Sequence, residues 1–217
     1  MRWSILIATL AHRKDSLAAL LRVLLPQAER FPGQVEVVAL RNRGALTVGE
    51  YRQKLLEDAR GKYVSFVDDD DLVAGDFVTA VLAAMVGEPD YVAFRHQMYS
   101  GGVPEPRVTI TGLSFGGWRD TDVAMVRDVT HINPVRAELA RKAGFGRYVL
   151  GEDAAYDDAL RPLLKTEAVI DRVLYHYYFL SVPSASMGIP AVLLRRGGRI
   201  PEVRSPVFRW HPESVTR

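Results

Sequence analysis

The chain has 217 residues, 48% of them hydrophobic and 25% charged, the balance of a soluble globular domain with a full-sized core. A formal net charge of +2 implies no strong overall electrostatic partner, and the absence of cysteine excludes disulfides, thiolate metal sites and cysteine nucleophiles. No apolar run reaches the length of a membrane span. The stretch Trp3–Ala11 is short, runs directly into His12-Arg13-Lys14-Asp15 and lacks a small-residue cleavage site, so it reads as a buried strand rather than a secretion signal, and a cytoplasmic location is expected, with a peripheral position at a membrane surface as the alternative.

In chain order, the strand Trp3–Thr9 leads into a helix capped by Asp15 or Ser16, with Leu17, Leu20, Leu21, Leu24 and Leu25 on one face and Pro26 near its end. A second strand spans Val35–Leu40. Thr47 and Glu50 then form the ends of a capping box that opens a helix to about Ala59, which Gly61 closes. The third strand is Tyr63–Val67. A helix over Phe77–Val86 stops at Gly87 and Pro89, and a fourth strand covers Tyr91–Met98. This alternation predicts a mostly parallel sheet with helices on both faces. From Ser100 to Val129 glycines and prolines punctuate short β-like runs. Asn133-Pro134 predicts a helix start that Gly144 ends, Gly151-Glu152-Asp153 leads into a helix over 154–164, and Ala168–Leu180 reads as β. The tail, rich in Pro, Gly and Arg, is expected to form a mobile flap.

The third strand ends in Asp68-Asp69-Asp70-Asp71. Four adjacent carboxylates repel each other unless a cation sits among them, and hard oxygen ligands suit Mg²⁺ or Mn²⁺. The plainer alternative is a solvated acidic turn with a helix cap. Open sheets bind ligands beyond the carboxyl ends of their strands, so Thr9–Arg13, Leu40–Gly44 and Asp68–Asp71 are expected to converge at one edge. Neither a Gly-x-Gly-x-x-Gly after the first strand nor a Walker A sequence is present, which disfavours a dinucleotide site and a triphosphate-gripping loop.

Several stretches together resemble a family 2 glycosyltransferase of the GT-A fold: Ser4–Thr9, Gly49–Tyr63, Phe66–Asp71, Gly151-Glu152-Asp153, and Val173–Tyr177 with Ser184-Ala-Ser186, in the family's order over most of the chain. The resemblance implies a single domain, with a nucleotide-sugar-binding half over about 1–99 followed by an acceptor half and C-terminal flap over about 100–217. It implies that the aspartate run is the family's DxD motif. Asp70 would be the metal ligand, Asp68 would meet the nucleoside, and Asp69 would position the diphosphate and metal. Thr9 and Arg13 would sit on the nucleotide side, and Arg52 near the nucleotide or donor sugar. For Arg52 a surface pair with Glu50 or Glu57 is the competing reading. Asp153 would be the general base of an inverting transfer, with Glu152 orienting the acceptor. Glu152-Asp153 as a plain acidic helix cap is the alternative. The donor would be a nucleotide-diphosphate sugar, a UDP-sugar first of all, with Mn²⁺ or Mg²⁺.

Two departures from the family pattern stand out. After the second strand, Arg41-Asn42 replaces the expected acid, leaving Asn42 as the base-reading candidate, and the usual histidine beyond the Tyr-x-Tyr strand is missing at Leu180. His176 and His211 are then candidates for the vacant ligand role, though lone histidines are usually packed or surface residues. Trp118, after Gly116-Gly117, is the aromatic best placed to stack on an acceptor. Arg195, Arg196, Arg199, Arg204, Arg209 and Arg217 crowd the C-terminal end. They fit an anionic acceptor such as DNA, a membrane-surface headgroup, or a solvated surface equally well. The acceptor is therefore open among a glycan, a lipid-linked sugar, a small molecule and a modified DNA base. A nucleotidyltransferase on the same fold and a catalytically silent sugar-nucleotide-binding module are the competing functions.

Overall fold

The computed structural model describes residues 1–42, 44, 46–179 and 205–211. Its elements are β1 (Trp3–Leu10), α1 (Lys14–Ala28), β2 (Val35–Asn42), α2 (Val48–Asp58), β3 (Tyr63–Phe66), β4 (Leu72–Val73), α3 (Phe77–Ala84), β5 (Tyr91–Ser100), β6 (Val103–Thr111), β7 (Arg119–Asp120), β8 (Ala124–Arg127), β9 (Val135–Arg136), α4 (Ala137–Ala143), α5 (Glu152–Leu160), β10 (Glu167–Phe179) and β11 (Phe208–Trp210).

One sheet runs in the order β11-β2-β1-β3-β9-β5-β6-β8-β7, with β10 pairing β5 and β4 off that path. The first four strands of the order are parallel, as the βαβαβ alternation requires, and β10 lies parallel to β5. Beyond β3 the sheet is mixed, because β9 and β6 insert antiparallel. The fold is thus an α/β domain with a central sheet flanked by helices. One core, on the face covered by α1 and α3, joins Trp3, Ile5, Leu17, Leu24, Phe77 and Phe94. The other, under α2, α4 and α5, joins Leu6, Leu55, Phe66, Tyr91, Ala140 and Tyr156. Alternate residues of β1 and β3 divide between the two cores, as the pleat dictates.

The capping box of α2 forms as the sequence predicts: the Glu50 N–H donates to Thr47 Oγ1 (3.2 Å) and the Thr47 N–H donates to Glu50 Oε2 (2.9 Å). Three elements depart from expectation. The first helix is not capped by Asp15 or Ser16: it begins at Lys14, with Arg13 at the cap position and no side-chain cap, so both residues lie inside its first turn. Asn133 does not cap a helix; its Oδ1 accepts from Thr130 Oγ1 (2.7 Å) and its Nδ2 donates to the Val92 carbonyl (2.9 Å). The following residues pair as β9 between β3 and β5, so α4 starts only at Ala137; sheet pairing outweighs the local capping preference. The helix expected over 154–164 begins earlier, at Glu152, and gives way at Arg161–Leu163 to a tighter 3₁₀ turn containing Pro162. Of the expected flap, residues 205–211 include an edge strand on β2; the remainder, with Ser184-Ala-Ser186 and every clustered arginine except Arg209, lies outside the described residues.

Arg209 anchors that edge strand. Its Nε lies 2.9 Å from Glu36 Oε2, and it also pairs with Asp58. Glu36 Oε1 in turn accepts from Ser4 Oγ (2.6 Å) and the Arg60 N–H (2.8 Å). Burial opposes the charge on Glu36, but these donors together lower its pKa from 4.5. A depressed carboxylate contributes stability that is full above its unfolded value and is lost as the pH falls through the folded one. Glu36→Gln is expected to cost about 3 kcal/mol at pH 7, the scale of a broken buried pair. In thermal melts across pH, the gap from wild type should close as the pH falls below 4.5.

Candidate active site

The carboxyl ends of β1, β2 and β3 lie side by side, with Leu10 opposite Asn42 in register. Arg13, in the turn after β1, reaches the aspartates that follow β3: its Nη1 is 2.9 Å from both Asp69 Oδ1 and Asp70 Oδ2. Thr9 is 1% exposed at the end of β1, and its hydroxyl helps hold the Asp69 carboxylate. Asn42 sits at the same edge, with its amide engaged in its own turn: Nδ2 donates to the Leu46 carbonyl (2.7 Å) and Oδ1 accepts from the Gly44 N–H (2.9 Å).

Arg52 is not a surface residue paired with Glu50 or Glu57. It is buried over the Phe66 ring, with Nη2 2.9 Å from Asp68 Oδ1 and Nε 3.7 Å from Glu152 Oε1. One guanidinium on α2 thus ties the end of β3 to the first turn of α5. Gly49 makes this approach possible, since a Cβ there would lie 1.9 Å from the Gly146 carbonyl oxygen in the loop leading to α5. Asp153 follows Glu152 and lines a cavity of about 280 Å³ together with Trp118, Tyr177, His131 and Asp157. Trp118 is 54% exposed and stacks under Arg127, whose guanidinium carbon lies 4.8 Å from the ring centroid. His176 is not among the described residues of this wall; its Nδ1 lies 3.2 Å from the Tyr99 hydroxyl.

The four aspartates have different fates. Burial disfavours the charge of Asp68, yet Arg52, His131 and Arg13 outweigh it and hold the carboxyl well below the usual range. Burial raises Asp69 against the pull of Arg13. Burial, reinforced by Asp68 and Asp69 and opposed by Arg13, pushes Asp70 up to about 6. Asp71 is turned inward: Oδ2 accepts from the Tyr175 hydroxyl (2.7 Å) and Oδ1 from the Tyr178 N–H (2.8 Å). Burial, then the charges of Asp68 and Asp70, drive it well above the carboxylate range. Tyr175 also accepts the Asp68 N–H (3.1 Å), so one phenol fixes both ends of the run.

Three carboxyls, of Asp68, Asp69 and Asp70, face two guanidiniums here, so acidic groups outnumber basic ones. Among the described residues no three His, Asp or Glu side chains are grouped to hold an ion by themselves. Asp69 Oδ2 is buried without a partner, while the Asp70 side chain is 28% exposed. These donors fit an ion that takes most of its ligands from a diphosphate and water, the usual habit of Mg²⁺.

Three participants escaped the sequence reading. Tyr175 is a fully buried core aromatic whose hydroxyl organises Asp68 and Asp71. His131, whose Nε2 is 3.7 Å from Asp68 Oδ2, gives no local signal in the sequence. Asp157 had one: it is four residues from Asp153, hence on the same side of a helix.

Residues 12–145 match the family described as Glycosyl transferase family 2. Among curated proteins none matches. Solved structures of S. aureus TarS 1–349 share the fold. The complex with UDP-GlcNAc has a TM-score of 0.63 at 17% identity, over 85% of this chain and 60% of that one. The complex with UDP has a TM-score of 0.63 at 18% identity, over 84% and 61%. A third TarS 1–349 structure has a TM-score of 0.61 at 19% identity, over 81% and 60%. The chain therefore spans about three-fifths of the TarS 1–349 length.

Asp157 carries a stability consequence. Burial, then the neighbouring Asp153 charge, push its carboxyl well above 3.8, with Arg52 opposing and Asp128 and Asp158 adding to the rise. A raised carboxyl loses stability for the fold as the pH rises above the unfolded value. Asp157→Asn is expected to melt at a higher temperature than wild type at pH 7, with the difference vanishing below pH 3.8.

Proposed function

The chain belongs to glycosyl transferase family 2; from that premise we propose that it is a glycosyltransferase that moves a sugar from a nucleotide-diphosphate donor, a UDP-sugar first of all, to an acceptor hydroxyl with inversion. The observation that carries this reading is the line of carboxylates across the cleft. The Asp68–Asp70 group closes the donor side, Asp153 opens the acceptor cavity, and Arg52 links the two through Asp68 and Glu152. The likeness to TarS structures holding UDP and UDP-GlcNAc supports the choice of nucleotide.

Residues about 1–99 would bind the nucleotide-sugar, and about 100–217 the acceptor. Thr9, Arg13 and Asn42 border the nucleotide pocket. Asp68 meets the nucleoside, and Asp69 orients the diphosphate. Arg52 keeps Nη1 without a hydrogen-bond partner, a donor that suits the diphosphate or donor sugar. Asp70, with Asp69, would hold Mg²⁺ or Mn²⁺, which when bound neutralises charge growing on the leaving diphosphate. Asp153 takes the proton of the acceptor hydroxyl as its oxygen attacks the anomeric carbon opposite the diphosphate. Glu152 keeps Arg52 in place and orients the acceptor edge. Trp118 offers the acceptor an apolar face.

Arg13 supports a second reading of the donor side. Its guanidinium already bridges Asp69 and Asp70, so the counter-charge could come from the protein and donor binding would then resist chelators. The first test is calorimetric binding of UDP-, GDP-, TDP- and CMP-sugars with Mn²⁺, with Mg²⁺ and with EDTA. Metal-dependent binding of one donor, lost in Asp70→Ala, is expected; equal binding in EDTA would favour Arg13. Asp153→Asn should keep donor affinity but lose turnover by about 10²-fold or more, the usual contribution of a general base. Failure of every donor to bind would sink the transfer reading.

A further inference from the structure

Three buried polar atoms without a hydrogen-bond partner belong to residues lining the cavity beside Asp153: His96 Nε2, His131 Nε2 and Asp157 Oδ1. These residues are only 4%, 8% and 6% exposed. Buried polar atoms are normally satisfied, because leaving one unpaired is costly. Three orphans around one cavity of about 280 Å³ call for a ligand rich in donors and acceptors.

The charge of the wall narrows the choice. Asp153 and Asp157 contribute two carboxyls on one face of α5. The arginine of the wall, Arg127, is committed: its Nη1 lies 2.8 Å from Asp120 Oδ1, and its guanidinium covers Trp118. Among the described residues the cavity therefore offers an anionic group no free cation. Arg209, from the arginine-rich end, is held by Glu36 and Asp58 at the amino ends of the strands, away from the cleft. A neutral hydroxyl suits all three orphans, since it can donate to a carboxylate and either donate to or accept from an imidazole. Trp118 and Tyr177 add flat apolar faces.

We propose that this cavity is a subsite for an uncharged sugar ring of the acceptor, and that Asp157 is a specificity-determining residue within it, accepting a hydrogen bond from a ring hydroxyl other than the one that reacts at Asp153. This rests on the glycosyl-transfer reading of the cleft. His96 Nε2 and His131 Nε2 meet neighbouring hydroxyls, and His131 also touches Asp68, placing the subsite against the donor side.

The experiment uses the full chain, as wild type, Asp157→Asn and Asp157→Ala. UDP is titrated first. Methyl glycosides of common neutral hexoses and N-acetylhexosamines, and the matched uronic acid glycosides, are then titrated with UDP present and absent. At least one neutral glycoside should bind. Its Kd should rise about tenfold or more in Asp157→Ala, the effect of removing one partner of a buried hydrogen bond, and less in Asp157→Asn, while the Kd for UDP stays within about twofold. The matched uronate should bind about tenfold more weakly than the neutral glycoside in wild type, because the wall holds the carboxyls of Asp153 and Asp157 and no free cation among the described residues. UDP binding without any neutral glycoside binding, glycoside affinity indifferent to Asp157, or preference for the uronate would each overturn the subsite. Neutral glycosides binding through Asp157 without UDP binding would uphold it while removing the donor assignment.

Discussion

Everything at the cleft follows from placing four carboxylates in succession at the end of a buried strand. Such a run is unstable in isolation, and the fold disperses it. Asp71 is folded inward onto Tyr175 and the Tyr178 amide. Asp68 is held by Arg52 and touched by His131. Asp69 and Asp70 share Arg13. The four residues thereby occupy different protonation regimes: Asp68 is strongly favoured as the anion, Asp70 is raised to about 6, and Asp71 is higher still. A cluster spread in this way can respond to an incoming diphosphate or cation at its outer members without disturbing the inner ones.

Arg52 extends that constraint across the domain. A buried guanidinium needs compensation on more than one side, and it finds Asp68 from one half of the chain and Glu152 from the other. Asp153, next in the chain to Glu152, thus lies beside the same ion network that organises the aspartate run. Gly49 serves this arrangement sterically, because the loop before α5 packs its backbone where a side chain would otherwise stand. A rigid link of this kind suits a transfer whose two substrates must meet within bonding distance.

The first half of the chain was legible from sequence because its signals are local. Alternating strands, the Thr47–Glu50 box and the aspartate run each declare themselves within a few residues, and parallel topology then forces their carboxyl ends together. The second half was less so. The Asn133-Pro134 pair carries the local signature of a helix start, but sheet pairing claims the next two residues and the asparagine is drawn into the buried polar group around Thr130. His96 and His131 meet only because β5 and the loop before β9 converge. Arg52 shows the same limit from the other direction: its sequence neighbours offered Glu50 and Glu57, and the fold chose Asp68, sixteen residues away, and Glu152, a hundred away.

Asp157 joins stability to function. A buried carboxyl with an unpartnered oxygen, made worse by the neighbouring Asp153 charge, is a poor choice for a protein that only has to fold. An asparagine of the same shape, or an apolar residue against Tyr156 and Leu160, would ease the strain. The acid makes physical sense where a ligand hydroxyl completes its hydrogen bonding, so that part of what folding forgoes is recovered on binding and appears as selectivity among acceptors. The same logic separates Asp157 from Asp71. Both are buried and both are raised, but Asp71 has its donors built in from β10 and closes the donor side as structure, whereas Asp157 has an oxygen left open beside a cavity.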